Sequence, residues 1–262
     1  MKLMLSDPIP ALPGKPHWAW YQKTIDAVAR PGTTVDLTHL PEGYFSMPTG
    51  EYAAAYNAIG MIQNAYIAEK RGYDAFLIGC TSDPGLRAAR ALVSIPVLAA
   101  MESAAHLASM LGNKFSIIAF RPGSRGILEN LIRGYGLGDK LASVRCHPAF
   151  IEQSSFEMMF GGEAGQKKFI ELVTAEMSQA VKEDGAEAFI LGCTIAATVL
   201  TMHGIHDVDG APVIDSIAAE IKMAETLVDL RRAYGTGVCK TSIYEAPLPG
   251  WEKEMPIKVE PG

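Results

Sequence analysis

Short apolar runs alternate with longer amphipathic segments along most of the chain. The runs are rich in Ile, Leu, Val, Ala and Phe and carry few polar residues, which is typical of strands buried on both faces of a parallel sheet. The segments between them have apolar positions at mixed spacings of three and four, which predicts helices. The predicted strands are residues 2–5, 34–37, 75–79, 97–99, 115–120, 142–145, 188–192 and 213–214.

One ten-residue pattern occurs twice, as GYDAFLIGCT at 72–81 and GAEAFILGCT at 185–194. A helix-like segment that ends at a glycine precedes each copy, at 52–71 and 167–184, and a Pro-led apolar run that leads into an Ala-rich segment follows each copy. The order and the flanks match, so we interpret the pattern as an internal duplication of a βα unit.

The duplication predicts an α/β fold with two similar parallel-sheet lobes, related by pseudo-two-fold symmetry, with the active site in the cleft between them. Residues 1–103 and 213–262 would form the first lobe, which includes a helix from 217 to about 234 and a tail over the surface. Residues 104–212 would form the second lobe.

Composition and charge exclude several classes of protein. Hydrophobic residues make up 48% of the chain, the net charge is -6, and no basic tract is present, so we expect neither a disordered protein nor a nucleic-acid partner. The N-terminus is too polar for a signal peptide and no apolar stretch is long enough to cross a bilayer, which favours a cytoplasmic protein without a membrane partner. The four cysteines are scattered, so we expect reduced thiols.

Cys80 and Cys193 end the two copies of the repeat. Ligands gather at the carboxyl ends of parallel strands, where both thiols would lie. Asp83 followed by Pro84 predicts a helix start just after Cys80, which would lower the pKa of that thiol. The Thr194 hydroxyl would cap a second helix in the same way.

A single cysteine after an apolar strand is usually a small buried residue, but two at equivalent positions indicate shared chemistry. If the lobes face each other, one thiolate could remove a proton from a carbon acid while the opposite thiol protonates the other face. This reaction inverts a stereocentre without a cofactor.

The segments GCTSDPGLRAAR, LGCT and PVIDSIAAEIKMAETLVDL resemble the aspartate/glutamate/hydantoin racemase superfamily, over about residues 72–230. The DPGL after the first cysteine is similar to the hydantoin and allantoin racemase branch. The resemblance implies cofactor-independent proton transfer by Cys80 and Cys193, a small-molecule substrate and a homo-oligomer. It also implies that amides and hydroxyls after each cysteine hold substrate oxygens, namely those of Thr81, Ser82, Thr194 and Ile195.

Three further pocket residues are predicted where the chain departs from the family pattern. Ser6 lies in LSDP, where hydantoin racemases usually have an Asn-Pro-Asn segment, and Arg121 lies where the second half normally offers Thr or Ser. Arg121 would hold an anionic group of the substrate or point to solvent. Tyr44 lies in a segment from 40 to 52 that is a candidate lid.

Other residues carry weaker signals. His203, His206, Asp207 and Asp209 are metal-ligand types without a recognised spacing, so we expect no metal. RPGSRG lacks the Lys and glycine spacing of a P-loop, and no dinucleotide fingerprint is present, so we expect no cofactor. His106, Cys146 and Cys239 are expected to be structural.

The leading hypothesis is a racemase or epimerase that acts at a carbon next to a carbonyl, in a hydantoin-like or related nitrogen-containing compound. A cis–trans isomerase of the maleate type, with one cysteine as covalent nucleophile, is the first alternative. A decarboxylase is a less favoured form of it, because decarboxylases of this scaffold keep one cysteine. A non-catalytic ligand-binding protein is the second alternative.

Overall fold

A computed structural model describes residues 1–14, 16–150, 154–253 and 257, which form two compact units. The first unit consists of Met1–Pro13, Ala29–Ala99 and Ile221–Gly262, and the second of Gly14–Val28 and Ala100–Glu220. Within the described residues, no helix is both long enough and apolar enough to span a bilayer.

The first unit is built on a four-stranded, fully parallel sheet in the order β2-β1-β3-β4. Its strands are β1 (Lys2–Pro10), β2 (Thr34–Leu40), β3 (Ala75–Ile78) and β4 (Val97–Ala99). Helices α2 (Gly50–Lys70) and α3 (Leu86–Leu92) belong to this unit.

The second unit contains a five-stranded sheet in the order β6-β5-β7-β9-β8, of which only β8 is antiparallel to its neighbour. Its strands are β5 (Phe115–Ile118), β6 (Leu141–Arg145), β7 (Phe189–Leu191), β8 (Asp207–Val208) and β9 (Ala211–Ile214). Its helices are α1 (His17–Val28), α4 (Ala100–Leu111), α5 (Arg125–Gly134), α6 (Ser154–Phe160), α7 (Gly162–Asp184) and α8 (Thr194–Met202). Helix α9 (Ser216–Tyr234) begins in the second unit and ends in the first.

The two sheets share one strand order, because β6-β5-β7-β9 repeats β2-β1-β3-β4. This confirms the predicted α/β class and its parallel strands, all of which are present. Their ends shift by up to three residues, except that β1 continues to Pro10 instead of ending at residue 5. The strand order reverses between β1 and β3 and again between β5 and β7, and such switch points are where α/β sheets bind ligands. The two-residue strand β8 was not predicted, since it is too short to produce an apolar pattern.

The predicted lobe boundaries differ from these units at several places, above all at α1. Residues 14–28 lie in the second unit, where α1 packs on α8. The Trp20 ring stacks on Phe160 at the end of α6, with ring centroids 5.6 Å apart. These partners are far away in sequence, so the local pattern of α1 could not indicate which sheet it covers.

Burial on both faces explains the strong strand signal of β3 and β7. All residues of both strands are inaccessible to solvent. The core of the second unit joins β5 and β7 to α4 and α5 through Phe115, Ile117, Ile190 and Leu128, and Cys146 packs against this cluster. Cys146 therefore has a packing role.

The described part of the tail contains only two short 3₁₀ turns, Ser242–Tyr244 and Trp251–Lys253, in agreement with the predicted surface path. The Lys240 ammonium donates to the backbone carbonyls of Arg90, Ala91 and Val93 at the end of α3. Cations are favoured at this end of a helix.

Each cysteine of the repeat follows a glycine that lies against the neighbouring strand. Gly79 donates its N–H to Ser6 O at 3.0 Å, and Gly192 donates to Ile118 O at 2.8 Å. A methyl group on Gly79 would lie 2.9 Å from Leu5 Cδ2, and one on Gly192 would lie 3.2 Å from Ile118 O. A side chain at Gly79 would displace the tip of the Leu5 side chain and crowd Ser6 O at 3.2 Å, and one at Gly192 would crowd the backbone of the adjacent strand.

Alanine at Gly79 or Gly192 should therefore destabilise the protein by about 1–3 kcal/mol, because of this overlap. The midpoint of urea unfolding measures the effect. Gly126 in α5 is a matched control, because nothing lies within 4 Å of a methyl group added there, and Gly126→Ala should be neutral or slightly stabilising. Wild-type stability of the Gly79→Ala protein would contradict the inferred contact.

Candidate active site

Cys80 lies two residues beyond β3, at the switch point of the first sheet. Its N–H donates to Ile78 O at 2.7 Å, which turns the chain sharply out of the sheet. The Cys80 Sγ atom lies 3.1 Å from the Ser82 hydroxyl oxygen, and Thr81 between them is buried. Cys80 as a whole is partly exposed.

Burial raises the pKa of the Cys80 thiol above its ordinary value. Hydrogen bonds from the hydroxyl and amide of Ser82 lower this pKa, whereas the negative charges of Asp83 and Asp7 raise it further. The net direction is upward, so the prediction of a lowered pKa was wrong.

The predicted helix start explains this error. Helix α3 begins at Leu86 rather than at Pro84, its N-cap residue is Gly85 with φ 77°, and no side chain caps it. Asp83 instead adopts a left-handed conformation with φ 47°, and its N–H donates to Cys80 O at 3.1 Å. A turn therefore separates the thiol from the amides of the helix.

Cys193 occupies a different local structure, because α8 begins at the very next residue. Cys193 is itself the N-cap residue, with extended backbone angles of φ -160° and ψ 129°, and its carbonyl accepts the first helical hydrogen bond from Ala197. The first amides of α8, which include that of Ile195, face the helix N-terminus, an arrangement that binds negative charge.

Thr194 is the first residue of α8 rather than its cap, so the predicted capping role was wrong. Its hydroxyl oxygen lies 2.7 Å from the hydroxyl oxygen of Tyr21 in α1. Both side chains are buried, as is Ile195. No pattern in the sequence pointed to Tyr21, which lies 173 positions away from Thr194.

Ser6 lies at the carboxyl end of the β1 segment that pairs with β3, but its side chain is directed into the first unit. Its hydroxyl accepts a hydrogen bond from Asn64 Nδ2 at 2.9 Å and lies 3.6 Å from Met61 Sδ. These contacts tie β1 to α2.

Tyr44 packs on α2, where its hydroxyl donates to Gln63 Oε1 at 3.2 Å. Burial is the largest cause of the raised pKa of Tyr44, and the neighbouring Tyr56 raises this pKa further. The segment around Tyr44 is held by Asn57, a buried side chain that the sequence did not single out. Its side-chain oxygen accepts a hydrogen bond from the N–H of Phe45. Its side-chain nitrogen donates to the carbonyl of Phe45 and to Pro8 O, the latter at 2.7 Å.

Arg121 follows β5 at the switch point of the second sheet and precedes a 3₁₀ turn at Pro122–Ser124. The residue is half-buried. Among the residues that the structure describes, its guanidinium makes no ion pair, unlike Arg125, which binds Glu129 one turn along α5. The Arg121 side chain is thus placed where a ligand of this sheet would bind.

The histidine and aspartate cluster near residue 205 is engaged in local structure. The imidazole of His203 bonds Val199 O at 2.9 Å through Nδ1, and Asp207 accepts the N–H of Gly210 at 3.0 Å. No group of three or more potential metal ligands occurs in the described part of the chain.

Comparison with known proteins adds independent evidence. A family model described as Asp/Glu/Hydantoin racemase matches residues 21–224, which include both repeated cysteines. The chain belongs to this family. Its membership confirms the resemblance predicted from the sequence and makes the protein an isomerase of the racemase type.

Two curated relatives are hydantoin racemases. That of Pseudomonas sp. (strain NS671) is 38% identical over 72% of this chain and 70% of its own length. That of Rhizobium meliloti is 33% identical over 72% of this chain and 74% of its own length. Among solved structures, the allantoin racemase from Klebsiella pneumoniae superposes with a TM-score of 0.81 at 27% identity, covering 97% of this chain and 98% of that one.

Ser82→Ala should raise the pKa of Cys80 further, because it removes the hydroxyl that stabilises the thiolate. The pH profile of Cys80 alkylation by iodoacetamide, followed by mass spectrometry, should move to higher pH. Thr241→Ala is a matched control, because the Thr241 hydroxyl has the same relation to the exposed Cys239, 2.9 Å away, and lowers the pKa of that thiol. This control should shift the alkylation profile of Cys239 only. An unchanged Cys80 profile in Ser82→Ala would refute the assigned contact.

Proposed function

We propose that the protein racemises hydantoins or closely related cyclic nitrogen compounds by cofactor-independent proton transfer, with Cys80 and Cys193 as the acid/base pair. The observation that carries the proposal is the equivalence of the two cysteines. Each follows a glycine at the end of the strand that stands third in its sheet, β3 or β7, at the switch point of that sheet. The two hydantoin racemases and the allantoin racemase support the choice of substrate class.

The reaction takes place at the ring carbon next to a carbonyl. One thiolate removes the proton from this carbon, and the electron pair moves onto the carbonyl oxygen to form an enolate. The opposite thiol then donates its proton to the other face of the carbon. The mechanism requires both thiols to reach the same carbon, and each turnover exchanges their protonation states.

Polar groups after the cysteines would stabilise the enolate. The amides at the start of α8 are suited to developing negative charge, and the Ile195 amide and the Thr194 hydroxyl would bind the substrate oxygen on this side. On the other side, Ser82 and Thr81 would contact the substrate through their amides or hydroxyls.

The raised pKa of Cys80 assigns the resting protonation state. A thiol with a pKa above its ordinary value is mostly protonated at neutral pH, so Cys80 acts as the proton donor and Cys193 as the base for one enantiomer. For the opposite enantiomer Cys80 must be the thiolate. In both directions the active enzyme carries one proton on the pair, so activity requires a pH at which one thiol is protonated and the other is not.

Cys80→Ser and Cys193→Ser should each reduce racemisation by about a hundredfold to ten-thousandfold, because a serine hydroxyl is a far weaker base than a thiolate. Circular dichroism of a 5-substituted hydantoin measures racemisation, and NMR in D2O should show solvent deuterium in the product enantiomer. Cys146→Ser and Cys239→Ser are matched controls and should retain wild-type rates. Near wild-type racemisation by either single variant of the pair would refute the two-base mechanism.

The covalent alternative makes a different prediction. A cis–trans isomerase with a nucleophilic cysteine would accumulate an adduct on one thiol, detectable as a mass increase of the intact protein under turnover with an unsaturated diacid. We expect no adduct. A binding protein without activity would bind substrate equally well after both serine substitutions.

Arg121 is proposed to hold an anionic substituent of the substrate. Arg121→Met should raise KM about tenfold for a carboxylate-bearing hydantoin and leave KM for a neutral one within about twofold, because only the former loses a charged hydrogen bond. Arg125→Met is the control, since Arg125 is exposed and already paired with Glu129. Equal losses for both substrates would contradict the assignment.

A further inference from the structure

Helix α1 supplies a buried hydroxyl directly behind one of the proposed substrate contacts. Tyr21 is 1% exposed, and its hydroxyl oxygen lies 2.7 Å from Thr194 Oγ1, one residue after Cys193. Both residues belong to the second unit. Tyr21 is therefore a neighbour of the oxygen-binding group rather than of the thiol.

The Tyr21 ring has little freedom to move. The imidazole of His17, one turn earlier in α1, lies edge-on to it with centroids 5.8 Å apart and an interplanar angle of 89°. A buried aromatic ring that is packed in this way holds its hydroxyl at a defined point.

A second contact fixes α1 relative to the end of α8. The Asp215 carboxylate accepts hydrogen bonds from Thr201 in α8 at 3.0 Å and from Thr24 in α1 at 3.4 Å. Its other oxygen accepts the first amides of α9, those of Ile217 and Ala218. Helices α1 and α8 are thus joined near both ends of α8, so the Tyr21 hydroxyl cannot shift along α8 without breaking these bonds.

We propose that Tyr21 is a positioning residue that sets the direction of the Thr194 hydroxyl toward the substrate oxygen. The inference rests on the proposed function, in which Thr194 binds that oxygen. In this proposal the phenol, the stronger donor of the two, donates to Thr194 Oγ1, and the Thr194 hydroxyl donates to the substrate oxygen. Because the enolate oxygen is more basic than the carbonyl oxygen, a correctly aimed donor stabilises the transition state more than the ground state.

A double-mutant cycle with a 5-substituted hydantoin tests the inference. Thr194→Val should lower kcat about a hundredfold, as expected for loss of an oxyanion donor. Tyr21→Phe keeps the ring and should lower kcat about tenfold, with KM within about twofold of the wild type. In the Thr194→Val background, Tyr21→Phe should change kcat by less than about twofold, because the two groups act as one unit.

Tyr73→Phe is the matched control. Tyr73 is also buried, and its hydroxyl donates to Asp36 at 2.7 Å in the first unit, so the substitution deletes a comparable bond away from Thr194. It should retain wild-type kcat. Thermal unfolding of all variants separates loss of folded protein from loss of turnover.

The outcomes separate the positioning role of Tyr21 from the oxygen-binding role of Thr194. Wild-type kcat in Tyr21→Phe, or an effect that multiplies fully with that of Thr194→Val, overturns the positioning role alone. Wild-type kcat in Thr194→Val overturns the oxygen-binding role of Thr194, and the inference fails with it. If Tyr21→Phe lowers the unfolding temperature strongly, kcat is compared at a temperature at which every variant is folded. Tyr21→Phe must then lower kcat more in the Thr194→Ser background than in the wild type, because a serine hydroxyl is less constrained than that of threonine.

Discussion

The hydrogen bond between a glycine and the neighbouring parallel strand fixes where each repeated cysteine leaves its sheet. Gly79 bonds to the carbonyl of Ser6, and Gly192 bonds to the carbonyl of Ile118. A methyl group on either glycine would crowd the neighbouring strand, so the absence of a side chain lets the strands approach closely up to their last residue. The thiol that follows is the first side chain beyond the ladder, at the carboxyl edge of the sheet, where α/β proteins bind ligands.

The same constraint leads to two different local structures. After Cys193 the chain enters α8 at once, whereas after Cys80 it passes through a turn with Asp83 in a left-handed conformation before α3 begins. The carboxylates of Asp83 and Asp7 raise the pKa of Cys80, whereas Cys193 lies at the N-terminus of α8. The proposed two-base mechanism needs two thiols that both reach the substrate carbon, but they need not have equal affinity for a proton.

The sequence predicted what depends on local pattern. The buried strands, the parallel class and the position of both thiols follow from apolar runs and from the repeat. The start of α3 was predicted wrongly because Asp-Pro is a common helix start, and here Gly85 continues the turn by one further step. Asn57 and Tyr21 could not be predicted, since each acts on a segment that only the tertiary fold brings near. The same holds for the placement of α1, whose apolar face would suit either sheet.

The membership of α1 in the second unit has a consequence for synthesis of the chain. Tyr21 and Thr194 are 173 residues apart, so α1 leaves the ribosome long before α8 exists. At translation rates of about 5–20 residues per second, the apolar face of α1 waits roughly 10–35 seconds for its partner. During this interval Trp20, Tyr21 and Ile25, all buried in the final fold, are exposed on the nascent chain. Helix α1 is thus an early binding target for chaperones. If the first sheet folds early, it must leave α1 free to reach α8.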